Sequence, residues 1–211
     1  LPNPAAAEGS AHDLMEHADD FLCKCHPLSD LRRRICRILD VAELRQHEKA
    51  LSDEVARDPM TGLLNRRGLD NALRKLCASD YPLAVCMFDL DNLKYINDTF
   101  GHAAGDRVIL SFAEFLRQKA GENILCRYGG DEFLAILTRT GEPEQLRQRI
   151  LGICRGFMKQ FTKGSFSASC SAGVSLCFPD EGATREVLQR ADAALYRAKR
   201  EKVTLCLMED K

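Results

Sequence analysis

The chain has 211 residues and a mass of 23.6 kDa, room for one domain of roughly 150 residues and an appendage. Hydrophobic residues make up 45% and charged residues 29%, with 14 glycines and 7 prolines, which excludes collagen-like, low-complexity and disordered classes. With 30 basic against 31 acidic residues the net charge is -1, so no global field draws in nucleic acid or an anionic membrane, and any phosphate binding has to be local.

Elements follow in chain order. Leu31 to Ala56 contains no Gly or Pro, and Leu31, Ile35, Ile38, Val41, Leu44, Leu51 and Val55 recur at spacings of 3, 4 and 7, which predicts one long amphipathic helix. Flanked by Arg45, Glu48, Lys49 and Glu54, that seam suits a coiled coil with a second copy, although Glu48 interrupts the repeat. Packing on its own domain is the other reading. From Asp58 strand-like and helix-like segments alternate. Pro82 to Asp89 reads as a buried strand and Gly105 to Lys119 as a helix, while Ile124 to Tyr128 and Phe133 to Thr138 read as strands joined by a glycine turn. Glu144 to Gln160 reads as a helix, Ser167 to Phe178 as a strand, Thr184 to Arg200 as a helix and Val203 to Met208 as a last strand. The expected class is α/β: an α+β sandwich of ferredoxin-like kind, its mainly antiparallel central sheet flanked by helices, with an N-terminal helical segment.

The longest apolar run, Tyr81 to Phe88, falls far short of the ~20 residues of a membrane span. No secretory leader is visible, so a cytoplasmic location is expected, with no membrane or nucleic-acid partner. The 10 cysteines, most of them single residues in apolar runs such as Cys86, Cys126, Cys170, Cys177 and Cys206, read as reduced core residues. The chain opens on Leu1, and a piece of something longer is expected.

Two acidic places stand at strand ends. The apolar strand from Leu83 to Phe88 runs into Asp89-Leu90-Asp91, and the turn Gly129-Gly130-Asp131-Glu132 sets two more carboxylates at a hairpin tip. If these strands are neighbours, their tips gather the hard oxygen donors that Mg2+ requires; taken singly, each cluster is also what solvated turns look like. Between them lies Asn97 to Asp106, with glycines at 101 and 105. Asn97 can both donate and accept and Asp106 accepts, which suits the edge of guanine, whereas Asp106 as a helix cap is the plainer reading. Lys94 and Lys199 are candidate phosphate contacts or simple surface lysines.

The order and spacing of four segments are more specific than any of these alone. DPMTGLLNRR from Asp58, FDLDNLKYINDTFGHAAGD from Phe88, RYGGDEF from Arg127 and ADAALYRAK from Ala191 together resemble the GGDEF family of diguanylate cyclases, over about Asp58 to Met208. The resemblance implies a nucleotidyl-cyclase-like fold over 58–211 and condensation of two GTP into cyclic di-GMP with release of two pyrophosphates. The reaction would take place in a homodimer holding one GTP per subunit. It implies a metal, Mg2+ or alternatively Mn2+, on Asp89, Asp131, Glu132 and the Leu90 carbonyl, with Asp131 and Glu132 also catalytic. Asn97 and Asp106, 8 and 17 residues after Asp89, match the guanine-reading pair, and Asp106 favours GTP over ATP. The backbone N–H groups of Asn92 and Leu93, with Lys94 and Lys199, match the triphosphate site.

Three departures stand out. Many members carry an Arg-x-x-Asp product-inhibition site upstream of the hairpin; the corresponding positions here are Ala120 and Asn123, so strong product inhibition through it is not expected. The usual Gly-Arg-Asn turn after Ala-Lys is absent, with Val203 at the Arg position and Lys202 before it, which implies a weaker triphosphate grip. Leu93 replaces a common Phe, a packing change.

Residues 1–57 form the second part. Ala18 to Lys24 and the helix after it resemble the last strand and helix of a response-regulator receiver domain, with Lys24 at the active-site lysine and Cys25 where Pro is usual. Its phosphate-accepting Asp is not in this chain, so no switching by phosphorylation is expected. Cys23, Cys25 and His26, with His12, His17 or Cys36, offer zinc-ligand atoms but lack the matching second half of a zinc motif. The rival to the enzyme is a GGDEF domain that binds GTP or a protein and only transmits a signal; it would have no use for the metal carboxylates.

Overall fold

The computed structural model describes residues 32–43, 55–121, 123–161, 166–179 and 185–208. The chain divides into two units, Leu1–Glu54 and Val55–Lys211. In the first, helix α1 covers 32–43, and Ile35, Ile38 and Val41 of the predicted seam are 39–47% exposed. Leu44, Leu51, the receiver-like stretch and the Cys23, Cys25 and His26 cluster lie outside the described residues.

The second unit is built on one five-stranded sheet. Its elements are α2 (Arg66–Leu73), β1 (Leu83–Leu90), α3 (Leu93–Phe100), α4 (His102–Ala120), β2 (Ile124–Arg127), β3 (Glu132–Leu137), α5 (Pro143–Phe161), β4 (Cys170–Cys177), α6 (Arg185–Glu201) and β5 (Leu205–Met208). Strand order is β2-β3-β1-β4-β5, antiparallel except for the β4–β5 pair. This is the expected mainly antiparallel sheet under helices.

β1 is buried on both sides, which is why it reads as an unbroken apolar run. Its even residues Ala84, Cys86, Phe88 and Leu90 enter a core formed with α4 and α5, whereas Leu83, Val85 and Met87 enter a second core with α2 and α6. The first core is centred on Phe112, whose ring meets Phe88, Phe133 and Phe157 edge-on at centroid distances of 5.6, 4.9 and 4.9 Å. Cys86, Cys126, Cys170 and Cys177 are buried and in no disulfide, as their apolar context predicts, and so is Cys154, whereas Cys206 is only half-buried.

Two boundaries differ from expectation in ways that matter below. Gly101, at φ +83°, breaks one helix and starts the next, so α4 begins at His102 and not at Gly105. Asp106 is therefore inside α4 and is not its cap. Strand β4 begins at Cys170 and not at Ser167, although Ser169 still accepts a ladder bond from the Asp91 N–H at 2.9 Å. Among the described residues no helix is long and apolar enough to cross a membrane.

Candidate active site

Asp89 follows the odd-residue phase of β1 onto the α6 side of the sheet. Its partner in register on β3 is Glu132, so pairing alone brings these two carboxylates side by side on one face. Asp131 stands one residue earlier at the hairpin tip. The Leu90 N–H donates to the Asp131 carbonyl at 3.1 Å, and since an extended residue aims its N–H and C=O at the same neighbour, the Leu90 carbonyl faces the hairpin as well.

The hairpin is held by contacts that sequence reasoning did not single out. The Tyr128 and Gly129 N–H groups donate to the Glu132 carbonyl at 2.8 and 3.1 Å, closing the turn. A Cβ on Gly129 would overlap the end of the Glu132 side chain, so a larger residue there would displace that carboxylate. Arg127 donates through Nη2 to the Gly130 carbonyl at 2.8 Å, and its Nη1 lies 3.3 Å from Asp58 Oδ2 with both side chains largely buried. Asp58 in turn accepts from the Thr61 N–H at 2.8 Å and the Thr61 hydroxyl at 2.7 Å. Burial alone would raise the Asp58 carboxyl, but the Thr61 hydrogen bonds and the Arg127 charge outweigh it and bring it below the ordinary value.

The carboxylates are electrostatically crowded. Burial pushes Asp89 up, with the Asp131 and Asp91 charges reinforcing it and the Lys199 ammonium, 2.5 Å from Asp89 Oδ1, opposing it. Glu132 is raised by burial and then by Asp131, Asp89 and Asp192, with Arg66 opposing. Arg66 of α2 stacks 4.1 Å over the Tyr128 ring and shares with Glu132 and Asp192 a cavity of about 770 Å³, another feature the sequence did not announce. Among the described residues no three acidic, thiol or imidazole groups already converge as metal ligands. The donor set is nonetheless all hard oxygen, and its mutual repulsion is what a hard divalent cation relieves. Asp91 is spoken for: it accepts from the Ser169 and Ser171 hydroxyls at 2.7 and 2.8 Å.

Lys199, the partner of Asp89, also lines a cleft of about 590 Å³ together with Asp91, Asn92, Arg155, Ser171 and Lys202. Asn92 caps α3 at φ +57° with no side-chain cap bond. Leu93 is buried, so only its backbone N–H is available for binding; Lys94 is exposed and is not among the cleft's lining residues. Asn97 lies in α3 with its amide against Gly105 of α4, where a Cβ would overlap Oδ1; Asp106 is the next residue. The Ala120 and Asn123 positions do local work: the Asn123 amide donates to the Ala120 carbonyl at the end of α4, and its Oδ1 accepts from the Thr138 N–H at 3.0 Å.

Known proteins bear on this arrangement. The family profile for "Diguanylate cyclase, GGDEF domain" matches residues 55–204, and the chain belongs to that family. It is 37% identical over 162 residues to diguanylate cyclase DgcP of Pseudomonas aeruginosa, covering 74% of this chain and 23% of that protein. It is 34% identical over 182 residues to diguanylate cyclase DosC of Escherichia coli K12, covering 82% of this chain and 39% of that one. The chain thus spans well under half of these relatives' length. Among solved structures, the coiled coil and GGDEF domain of DgcB from Caulobacter crescentus, in complex with c-di-GMP, superposes with a TM-score of 0.71 at 27% identity, over 85% of this chain and 100% of that one. The diguanylate cyclase SiaD of P. aeruginosa, in complex with its activator SiaC, gives 0.66 at 28% identity over 97% and 79%.

Proposed function

We propose that this chain is a diguanylate cyclase that joins two GTP molecules into cyclic di-GMP, with residues 58–211 as the catalytic domain. The observation that carries the reading is the β1–β3 register, which sets Asp89 against Glu132 beside Asp131, next to a cationic cleft. Asp89, Asp131, Glu132 and the Leu90 carbonyl would hold Mg2+, or Mn2+ in its place; when bound, the ion offsets triphosphate charge and polarises the α-phosphorus. Asn97 and Asp106 orient guanine by hydrogen bonds to its edge. The Asn92 and Leu93 N–H groups and Lys199 take phosphate oxygens, with Lys94 as an outer contact.

In the reaction the 3'-hydroxyl oxygen of one GTP forms a bond to the α-phosphorus of the other, and the bond to pyrophosphate breaks in line. The hydroxyl proton passes to Glu132 or Asp131, the two carboxylates at the hairpin tip. Each domain presents one such site, so two copies must face each other. The exposed Ile35, Ile38 and Val41 of α1 support pairing through the N-terminal helix, and the similar DgcB structure joins a coiled coil to its GGDEF domain. Incubating the protein with GTP and Mg2+ at several protein concentrations, with Asp131→Ala alongside, tests the reading. Cyclic di-GMP identified by chromatography and mass, rising faster than linearly with protein and lost in the variant, supports it; GTP binding without product rejects it.

A further inference from the structure

The cleft beside Asp89 holds more positive charge than its known neighbours use. Three cations line it, Lys199 and Lys202 from the end of α6 and Arg155 from α5; with Lys199 offset by Asp89, Arg155 and Lys202 stand against one carboxylate, Asp91, a surplus of one positive charge. Lys199 is engaged by Asp89 at 2.5 Å, and Asp91 is tied to two serine hydroxyls. Arg155 and Lys202 form no ion pair among the described residues, and both are exposed towards solvent. Val203, also on the cleft, is 42% exposed and brings no donor.

Lys202 carries a second mark. The Lys202 N–H donates to the Lys199 carbonyl at 3.2 Å and the Val203 N–H to the Ala198 carbonyl at 2.9 Å, the paired bonds that close a helix on a left-handed residue. That residue is ordinarily glycine, because a Cβ is disfavoured there, yet Lys202 occupies it at φ +54°. The chain keeps a long cation on strained backbone at the cleft's rim.

We propose that Arg155 and Lys202 form the outer phosphate grip of this cleft, holding the β- and γ-phosphates of a nucleoside triphosphate from opposite walls. The proposal rests on the GTP reading above. Lys199 and the start of α3 lie nearest Asp89 and so take the inner phosphates. The planar fork of Arg155 and the flexible ammonium of Lys202 are left for the terminal oxygens, the fork giving two parallel donors.

The test is calorimetric titration of the full chain with GTP, GDP and GMP in Mg2+. Each charge-assisted phosphate contact is worth about a tenfold factor or more, so Arg155→Ala and Lys202→Gly should each weaken GTP by at least about tenfold while leaving GMP nearly unchanged. Arg155→Lys should recover part of the loss, and Val203→Ala should match the wild type. Thermal unfolding separates grip from fold: Lys202→Gly places glycine on a left-handed residue and should unfold no lower than wild type. If both variants bind GTP as wild type does, the grip is overturned and the GTP reading stands. If the wild-type chain binds no GTP, both fall.

Discussion

Gly105 offers a way to disturb the proposed base reading without replacing either residue proposed for it. It is buried in α4 in ordinary helical conformation, so Gly105→Ala suits the backbone and gains about 1 kcal/mol of helix propensity. The added methyl would overlap Asn97 Oδ1 and stand 2.8 Å from Cγ and 3.2 Å from Nδ2. Those atoms are the end of a side chain that can rotate, so Asn97 moves and the helices stay. Stability should hold or rise, by about 2–4 °C in Tm for a unit of this size. Guanine should lose the Asn97 hydrogen bonds, about 1–3 kcal/mol, which is a roughly 5- to 150-fold weaker affinity for GTP. Calorimetry and thermal unfolding on Gly105→Ala, Asn97→Ala and the double variant read both quantities, and because the residues touch, the double variant should bind no worse than the worse single one. Unchanged GTP affinity in Gly105→Ala would refute base reading by Asn97 from this position. A fall in Tm of several degrees would show that the helix pair, and not the side chain, had given way.

Phe112→Ala removes the ring at the centre of the aromatic core and should cost about 3–5 kcal/mol, read as a lower denaturant midpoint at unchanged m-value. Arg127→Ala frees the Gly130 carbonyl and takes from Asp58 its cation, leaving only the Thr61 hydrogen bonds, so kcat should fall at least about tenfold with GTP affinity little changed; wild-type kcat would show that the hairpin needs no such brace. The pH dependence of that brace has a definite sign. Asp58 titrates below its ordinary 3.8 in the folded chain, so its contribution is present above that value and is lost as pH falls through the folded value. The Tm gap between wild type and Asp58→Asn should therefore close in acid, and a gap that widened would overturn the assignment.

Legibility in the sequence followed the range of the interactions. β1 was readable because burial on both faces leaves an apolar run ending at Asp89, and the β2–β3 hairpin because glycines mark its turn. Helix α3 carries no strong signal in the sequence: Asn97, Asp98 and Thr99 are weak helix formers, and its stability comes from Leu93 and Ile96 entering the core. The start of α4 was displaced because Gly105 resembles a breaker, whereas it is there to make room for Asn97. The family resemblance supplied the site list, but not the pairing of Asp89 with Glu132 or the contact of Arg127 with Asp58, 69 residues away in sequence. Such partners are set by strand register and by loops meeting in space, and no local pattern carries them. Arg155, on the exposed side of α5, looked like any solvated helix residue.

The site's position follows from antiparallel pairing. β1 ends where β3 and β4 begin, so one edge of the sheet collects Asp89, the hairpin carboxylates and the serines that hold Asp91. A central strand buried on both faces cannot slip by one residue without turning Phe88 out of one core and Met87 out of the other, so the Asp89–Glu132 register is fixed by packing far larger than the local repulsion. That is how two carboxylates, each pushed towards protonation by burial and by the neighbouring carboxylates, are kept side by side. The same end of the sheet carries the proposed phosphate donors at the start of α3 and the end of α6, on Asn92 and Lys202 in left-handed conformation. The strain and the repulsion both lie where a polyanion and its cation would be received, and the two cores behind them hold the geometry in place.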